Sequence, residues 1–143
     1  MLFRSMRILG LDVGQKRVGI AVSDPLGWIA QPLQVLERSD PETELAAYKA
    51  IIAEYEVEKA VLGYPINMNG SIGDKAREIE AYADWLRASL KVEIAFIDER
   101  LTTVSAEKML LRADVSRKKR RCVIDKIAAV HILQSYLDRQ ASK

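Results

Sequence analysis

Residues 7–23 read RILGLDVGQKRVGIAVS. Residues 7–13 form a short apolar run of strand type and residues 17–23 a second. Gly14-Gln15-Lys16 between them has the composition of a tight hairpin turn. One residue in the first run is out of place in a dry strand: Asp12, with Gly10 and Gly14 around it. A carboxylate held among apolar residues is costly unless a cation or hydrogen-bond partner compensates it. The two glycines let another backbone, or a phosphate, approach closely. A strand-end Asp satisfied by turn amides would read the same way in this segment alone.

Beyond the hairpin, a third strand is expected from Ile29 to Leu36, and Pro32 marks it as an edge strand. Asp40-Pro41-Glu42 then opens a helix, with Asp as N-cap, Pro in the first turn and an acid beside the positive helix end. Leu45, Tyr48, Ile51, Ile52 and Tyr55 follow its apolar spacing. A buried strand is expected over 59–64, a helix from about Asp74 to Leu90, and a last strand over 92–97. Thr102 or Thr103 can cap a short helix through Leu111. A basic linker then leads to a long helix from about Lys119 to Arg139. The order is three strands, helix, strand, helix, strand, helix, which implies a mixed sheet covered by helices. One α/β domain spanning 1–143 accommodates it.

Composition narrows the chemistry. Hydrophobic residues make up 49% and charged residues 29% of the 143, ordinary values for a globular chain. No stretch approaches the length of a membrane span, and the first residues lack the apolar core of a secretory signal. The cytoplasm is the default compartment. One cysteine, Cys122, and one histidine, His131, rule out an intramolecular disulfide framework and a Cys- or His-built metal site. Cys122 offers a route to a crosslinked homodimer under oxidation. Any metal chemistry falls to oxygen ligands. Net charge is +2, but residues 108–126 carry +6 and the remainder −4. Such segregation suggests an edge that faces a polyanion.

Two further acids join Asp12. In the final helix Asp125 lies one to two turns before Ala128, Ala129 and Ile132, at the N-terminal end of a broad apolar arc. The two alanines allow close docking on the sheet, which would aim the carboxylate at the strand ends. Proximity to the helix N-terminus would favour its charge, and Lys126 or Arg121 are alternative partners for it. Asp98-Glu99-Arg100 follows the last strand. Alternation sends only one of Asp98 and Glu99 to Asp12's face, and periodicity does not choose between them. Arg100 has the donor fork that suits a phosphate. The consecutive bases Arg117, Lys118, Lys119, Arg120 and Arg121 read as a nucleic-acid contact or as a solvated segment. The polar loop 67–73 lacks a P-loop's lysine and spacing and reads as a plain connection. Trp28 and Trp85 read as packing residues, and His131 as structural.

Four stretches, LGLDVGQKRVGIAVSD (9–24), VLGYPINMNG (61–70), DERLTT (98–103) and KIAAVHILQSYL (126–137), resemble the YqgF/RuvX family of Holliday-junction-resolvase-like proteins, whose members are named as pre-16S rRNA nucleases. The resemblance spans nearly the whole chain. It implies a ribonuclease H-like fold, a mixed five-stranded sheet with strand two antiparallel, flanked by helices. It also implies catalytic, metal-holding acids at Asp12, Glu99 and Asp125, with Mg²⁺ or Mn²⁺ as the ion. Lys16, Arg17, Arg100 and the 117–121 run would grip phosphates of a pre-rRNA or of branched DNA. The expected activity is processing of the 5′ end of pre-16S rRNA, with a junction-cutting DNA endonuclease as the alternative within the same chemistry. Two rivals stand outside it. An actin-like phosphotransferase also opens on an Asp-x-Gly strand, but needs two such domains. A non-catalytic RNA-binding assembly factor leaves the three acids unexplained.

Overall fold

The computed structural model describes residues 7–67, 69–99 and 117–141, with side chains in the last stretch from Ile124 onward. The strands are β1 (Arg7–Val13), β2 (Arg17–Ser23), β3 (Ala30–Glu37), β4 (Val57–Tyr64) and β5 (Glu93–Asp98); the helices are α1 (Pro41–Tyr55), α2 (Asp74–Ser89) and α3 (Arg117–Ala141). The sheet order is β3-β2-β1-β4-β5. The strand pairs β1–β2 and β2–β3 are antiparallel, whereas β1–β4 and β4–β5 are parallel. This is the mixed five-stranded sheet with an antiparallel second strand that the family resemblance implied. The short helix expected through Leu111 lies outside the described residues.

Local chemistry sets the element ends. Gly14 N–H donates to the Arg17 carbonyl at 2.8 Å and closes the β1–β2 turn. The Asp40 carboxylate accepts from Thr43 N at 3.0 Å and from Thr43 Oγ1 at 2.8 Å, with Pro41 opening α1 behind it. These bonds hold the Asp40 carboxyl below its ordinary range, the Thr43 hydroxyl contributing most. β3 is an edge strand, as Pro32 suggested, and its pairing with β2 shifts register between Ile20 and Ala21.

Alternation along the strands builds two cores. Leu9, Leu11, Val18, Ile20 and Leu62 face α1 and α2, meeting Tyr48, Ile51, Ile79, Ala83 and Leu86. Ala21, Ala30, Val61 and Ile97 face α3, meeting Ala128, Ala129, Ile132 and Leu133. The α3-facing positions are small, so the long helix lies almost directly on the sheet. A Cβ on Gly10 would come 2.5 Å from Leu133 Cβ and 2.8 Å from the Ala129 carbonyl oxygen.

Two expectations about packing fail. Trp28 is 66% exposed, because its turn is fixed through the backbone: Asp24 Oδ1 accepts from Trp28 N and Ile29 N, and Gln134 Nε2 donates to the Trp28 carbonyl. The side chain is left outside. The basic stretch is not a linker before α3 either, since the helix begins at Arg117.

The Asp40→Ala variant is expected to melt a few degrees below the parent at neutral pH. Because the folded-state carboxyl is depressed, its contribution is complete above the ordinary carboxylate range. It is lost as pH falls through the depressed value, so the gap between parent and variant closes from about pH 4 downward. Paired thermal melts across that range check this.

Candidate active site

The site lies where β1 ends, on the face that α3 covers. Asp12 is 7% exposed. It alternates with Leu11 and Val13, which face the other core, so its side chain shares the α3 face with Gly10. Its partner across the antiparallel ladder is Gly19, and directly paired residues point to the same face. A Cβ on Gly19 would lie 2.1 Å from the Asp125 carbonyl oxygen and 3.1 Å from Asp125 Cβ. Asp125 therefore sits over β2, immediately beside Asp12.

The other flank is β4. The parallel register pairs Leu11 with Leu62, so Gly63 is the next residue along, level with Asp12. A Cβ on Gly63 would meet Glu99 Oε1 at 2.6 Å and Ile132 Cδ1 at 2.7 Å. The Glu99 carboxylate thus lies over β4 on the α3 face. Ile97 packs in the α3-facing core, and two residues later Glu99 returns to that face. Asp98, paired with Tyr64, falls on the opposite one. The ambiguity left by periodicity is resolved in favour of Glu99. The three acids come to one end of one face, Asp125 and Glu99 standing over the strands on either side of Asp12.

They do not pack into a closed cage. Among the described residues, no three His, Cys, Asp or Glu side chains are grouped closely enough to hold an ion. Asp125 Oδ2 instead accepts from Arg17 Nε at 3.1 Å, with each side chain about one-fifth exposed (21% and 20%). Asp125 stands more than two turns inside α3, since the helix starts at Arg117. The helix dipole expected to favour its charge does not reach it there, because that effect fades within the first turn. Arg17, from β2, supplies a positive partner. The donor chemistry suits a hard divalent cation; the spacing shown is not already closed around one.

Lys16 is exposed at the hairpin turn. Arg100, and the side chains of Arg117, Lys118, Lys119, Arg120 and Arg121, lie outside the described residues. Sequence reasoning missed Gly19 and Gly63, which seat two of the acids. The signal was present: glycine inside a strand marks close approach by another group.

Comparison with known structures shows the same architecture. Thermus thermophilus RuvC in complex with a Holliday junction substrate superposes with a TM-score of 0.53 at 14% identity, covering 96% of this chain and 97% of that one. The fowlpox virus Holliday junction resolvase gives 0.51 at 13%, covering 94% and 99%. The fold is ribonuclease H-like, shared with these resolvases. Within it, the chain belongs to the RuvX family, whose model, described as Holliday junction resolvase, matches residues 6–139. A Syntrophomonas wolfei relative named "Putative pre-16S rRNA nuclease" is 54% identical over 133 residues, 93% of this chain and 94% of its own. One of the same name from Listeria monocytogenes is 53% identical over 135 residues, covering 93% and 98%.

Gly19→Ala is expected to lift α3 at Asp125, costing about 1–3 kcal/mol of stability and lowering catalytic rate more than substrate affinity. Urea denaturation read beside kcat and KM separates the two effects.

Proposed function

We propose that this chain is a metal-dependent nuclease that processes the 5′ end of precursor 16S rRNA in the cytoplasm. The observation that carries the reading is the gathering of Asp125 and Glu99 over Gly19 and Gly63, on either side of buried Asp12. Three acids at the end of one strand repel a phosphate, so an assembly factor that only bound RNA would gain nothing from them. The names carried by relatives more than 50% identical over nearly the full chain support RNA as the substrate. Among the described residues no helix is long and apolar enough to cross a membrane.

Asp12, Glu99 and Asp125 are the residues that would hold Mg²⁺ or Mn²⁺. A bound ion of this kind lowers the pKa of an attacking water and neutralises charge on the leaving oxygen. The chain's own contribution is positional. α3 and β5 bring acids to β1 from two directions, and Arg17 fixes Asp125 against β2. Lys16, exposed at the turn beside the site, would take a backbone phosphate. Arg100 and the bases of 117–121, read as phosphate contacts from sequence, would add to that grip. Branched DNA is the second reading, favoured by the family's description as Holliday junction resolvases.

The test is cleavage of a pre-16S 5′-end RNA. Asp12→Asn is expected to reduce it by more than about a hundredfold, beyond the loss typical of residues that only support metal ligands. Melting temperature and RNA affinity in chelator stay near the parent's. EDTA abolishes parental cleavage, and Mg²⁺ or Mn²⁺ restores it. Undiminished cutting by the variant would remove Asp12 from the chemistry. Preferential cutting of a four-way DNA junction would transfer the assignment to the second reading.

A further inference from the structure

On the far side of the sheet from α3, a cleft of about 690 Å³ opens between α1 and α2, lined among others by Gln15, Arg38, Glu78, Tyr82 and Trp85. Its back wall is a buried polar network. Tyr82 donates to Glu44 Oε1 at 3.1 Å and shares a 2.7 Å hydrogen bond with the Tyr48 hydroxyl. Glu44, only 4% exposed, also accepts from Ser39 N and pairs with Arg38. The Arg38 guanidinium lies over the Tyr82 ring, 4.8 Å from its centroid, and the Trp85 ring lies 5.4 Å from Tyr82 on centroids. Burial above all, with the Glu44 charge adding to it, pushes both tyrosine hydroxyls up, well clear of ionisation. The wall is therefore neutral at the rings and held by fixed bonds.

Two further cavities share lining residues with this cleft and lie between it and the candidate active site. A second cavity shares Gln15, Arg38 and Glu78 with the cleft and adds Gly14, Asp74 and Lys75. A third shares Gly14, Gln15 and Lys75 with the second and reaches Lys16, Arg17 and Asp125. The path runs over the β1–β2 turn, and its character changes along the way. Beside Asp125 it is lined by three bases, Lys16, Arg17 and Lys75, as a phosphodiester backbone requires. Within the cleft the acids Glu44 and Glu78 repel phosphate, while aromatic faces and a guanidinium remain. Those surfaces stack nucleobases, and a carboxylate accepts from a base's amino or imino hydrogens.

We propose that the α1–α2 cleft takes one unpaired nucleobase of the strand being cut, with the intervening phosphates passing over Lys16 and Lys75. The inference rests on the nuclease reading and names the substrate feature it selects: a single-stranded stretch flanking the cleavage point. Trp85 and Arg38 would provide the stacking surfaces, and Glu78 the hydrogen-bond acceptor.

The chain has two tryptophans, Trp28 and Trp85, so Trp28→Phe, a change at an exposed side chain, leaves Trp85 as sole reporter. The probe is an RNA stem with a short single-stranded 5′ extension, titrated in EDTA against the same stem without it. Trp85 emission is expected to fall with the extended RNA alone. Replacing extension nucleotides one at a time by abasic residues is expected to expose a single position whose loss weakens binding roughly five- to a hundredfold. Lys75→Glu weakens the extended RNA about tenfold. Unchanged emission, or equal affinity for every abasic variant, overturns the cleft assignment even if the RNA is cut normally. Quenching and abasic sensitivity without cleavage under any metal would keep the cleft and defeat the nuclease reading.

Discussion

The site depends on how closely α3 approaches the sheet. Gly10, Gly19 and Gly63 present no side chain to the groups above them, and Ala128 and Ala129 answer from the helix. Backbone therefore lies against backbone along the end of β1. A helix held away by ordinary side chains would carry Asp125 off its place beside Asp12. The glycines are expensive in unfolded-chain entropy, and the tight core of Ile132, Leu133, Val61 and Ile97 offsets that cost.

The β1–β2 turn joins the two sides of the sheet. Gly14 N–H bonds the Arg17 carbonyl, the Gly14 carbonyl accepts from Arg38, and Arg38 N–H bonds the Lys16 carbonyl. Arg17 reaches Asp125 on one face, while Arg38 reaches Glu44 and Tyr82 on the other. Three residues of turn thus fix the position of two arginines, each committed to an acid on a different layer. A shift of this turn would be felt at the strand-end carboxylates and in the aromatic cleft together.

What was legible in the sequence was local or strictly periodic. The hairpin, the Asp40 cap, the edge character imposed by Pro32 and the strand–helix order needed only neighbouring residues. Motif resemblance supplied Glu99; Ile97 packs on the α3 side, and Glu99, just past β5, returns to that face two residues later. The pairing of Arg17 with Asp125 crosses 108 positions, and no periodicity reports such a bond. Glu44, an acid in the first turn of α1, is buried because Tyr82, Arg38 and Ser39 converge on it from three segments, which no local pattern reports. Trp28 misled in the other direction, since bulk alone suggested packing, and the turn that carries it is anchored through its carbonyl and amide.

The outer strands bear on how the molecule meets others. β3 presents exposed Gln31 and Pro32 on its open side, where proline lacks the N–H that a docking strand would need, and the register shift further disturbs the row of carbonyls and amides. β5 spans only six residues. Neither border offers a long flat template for annealing. Self-association by sheet extension is thereby discouraged at the rim.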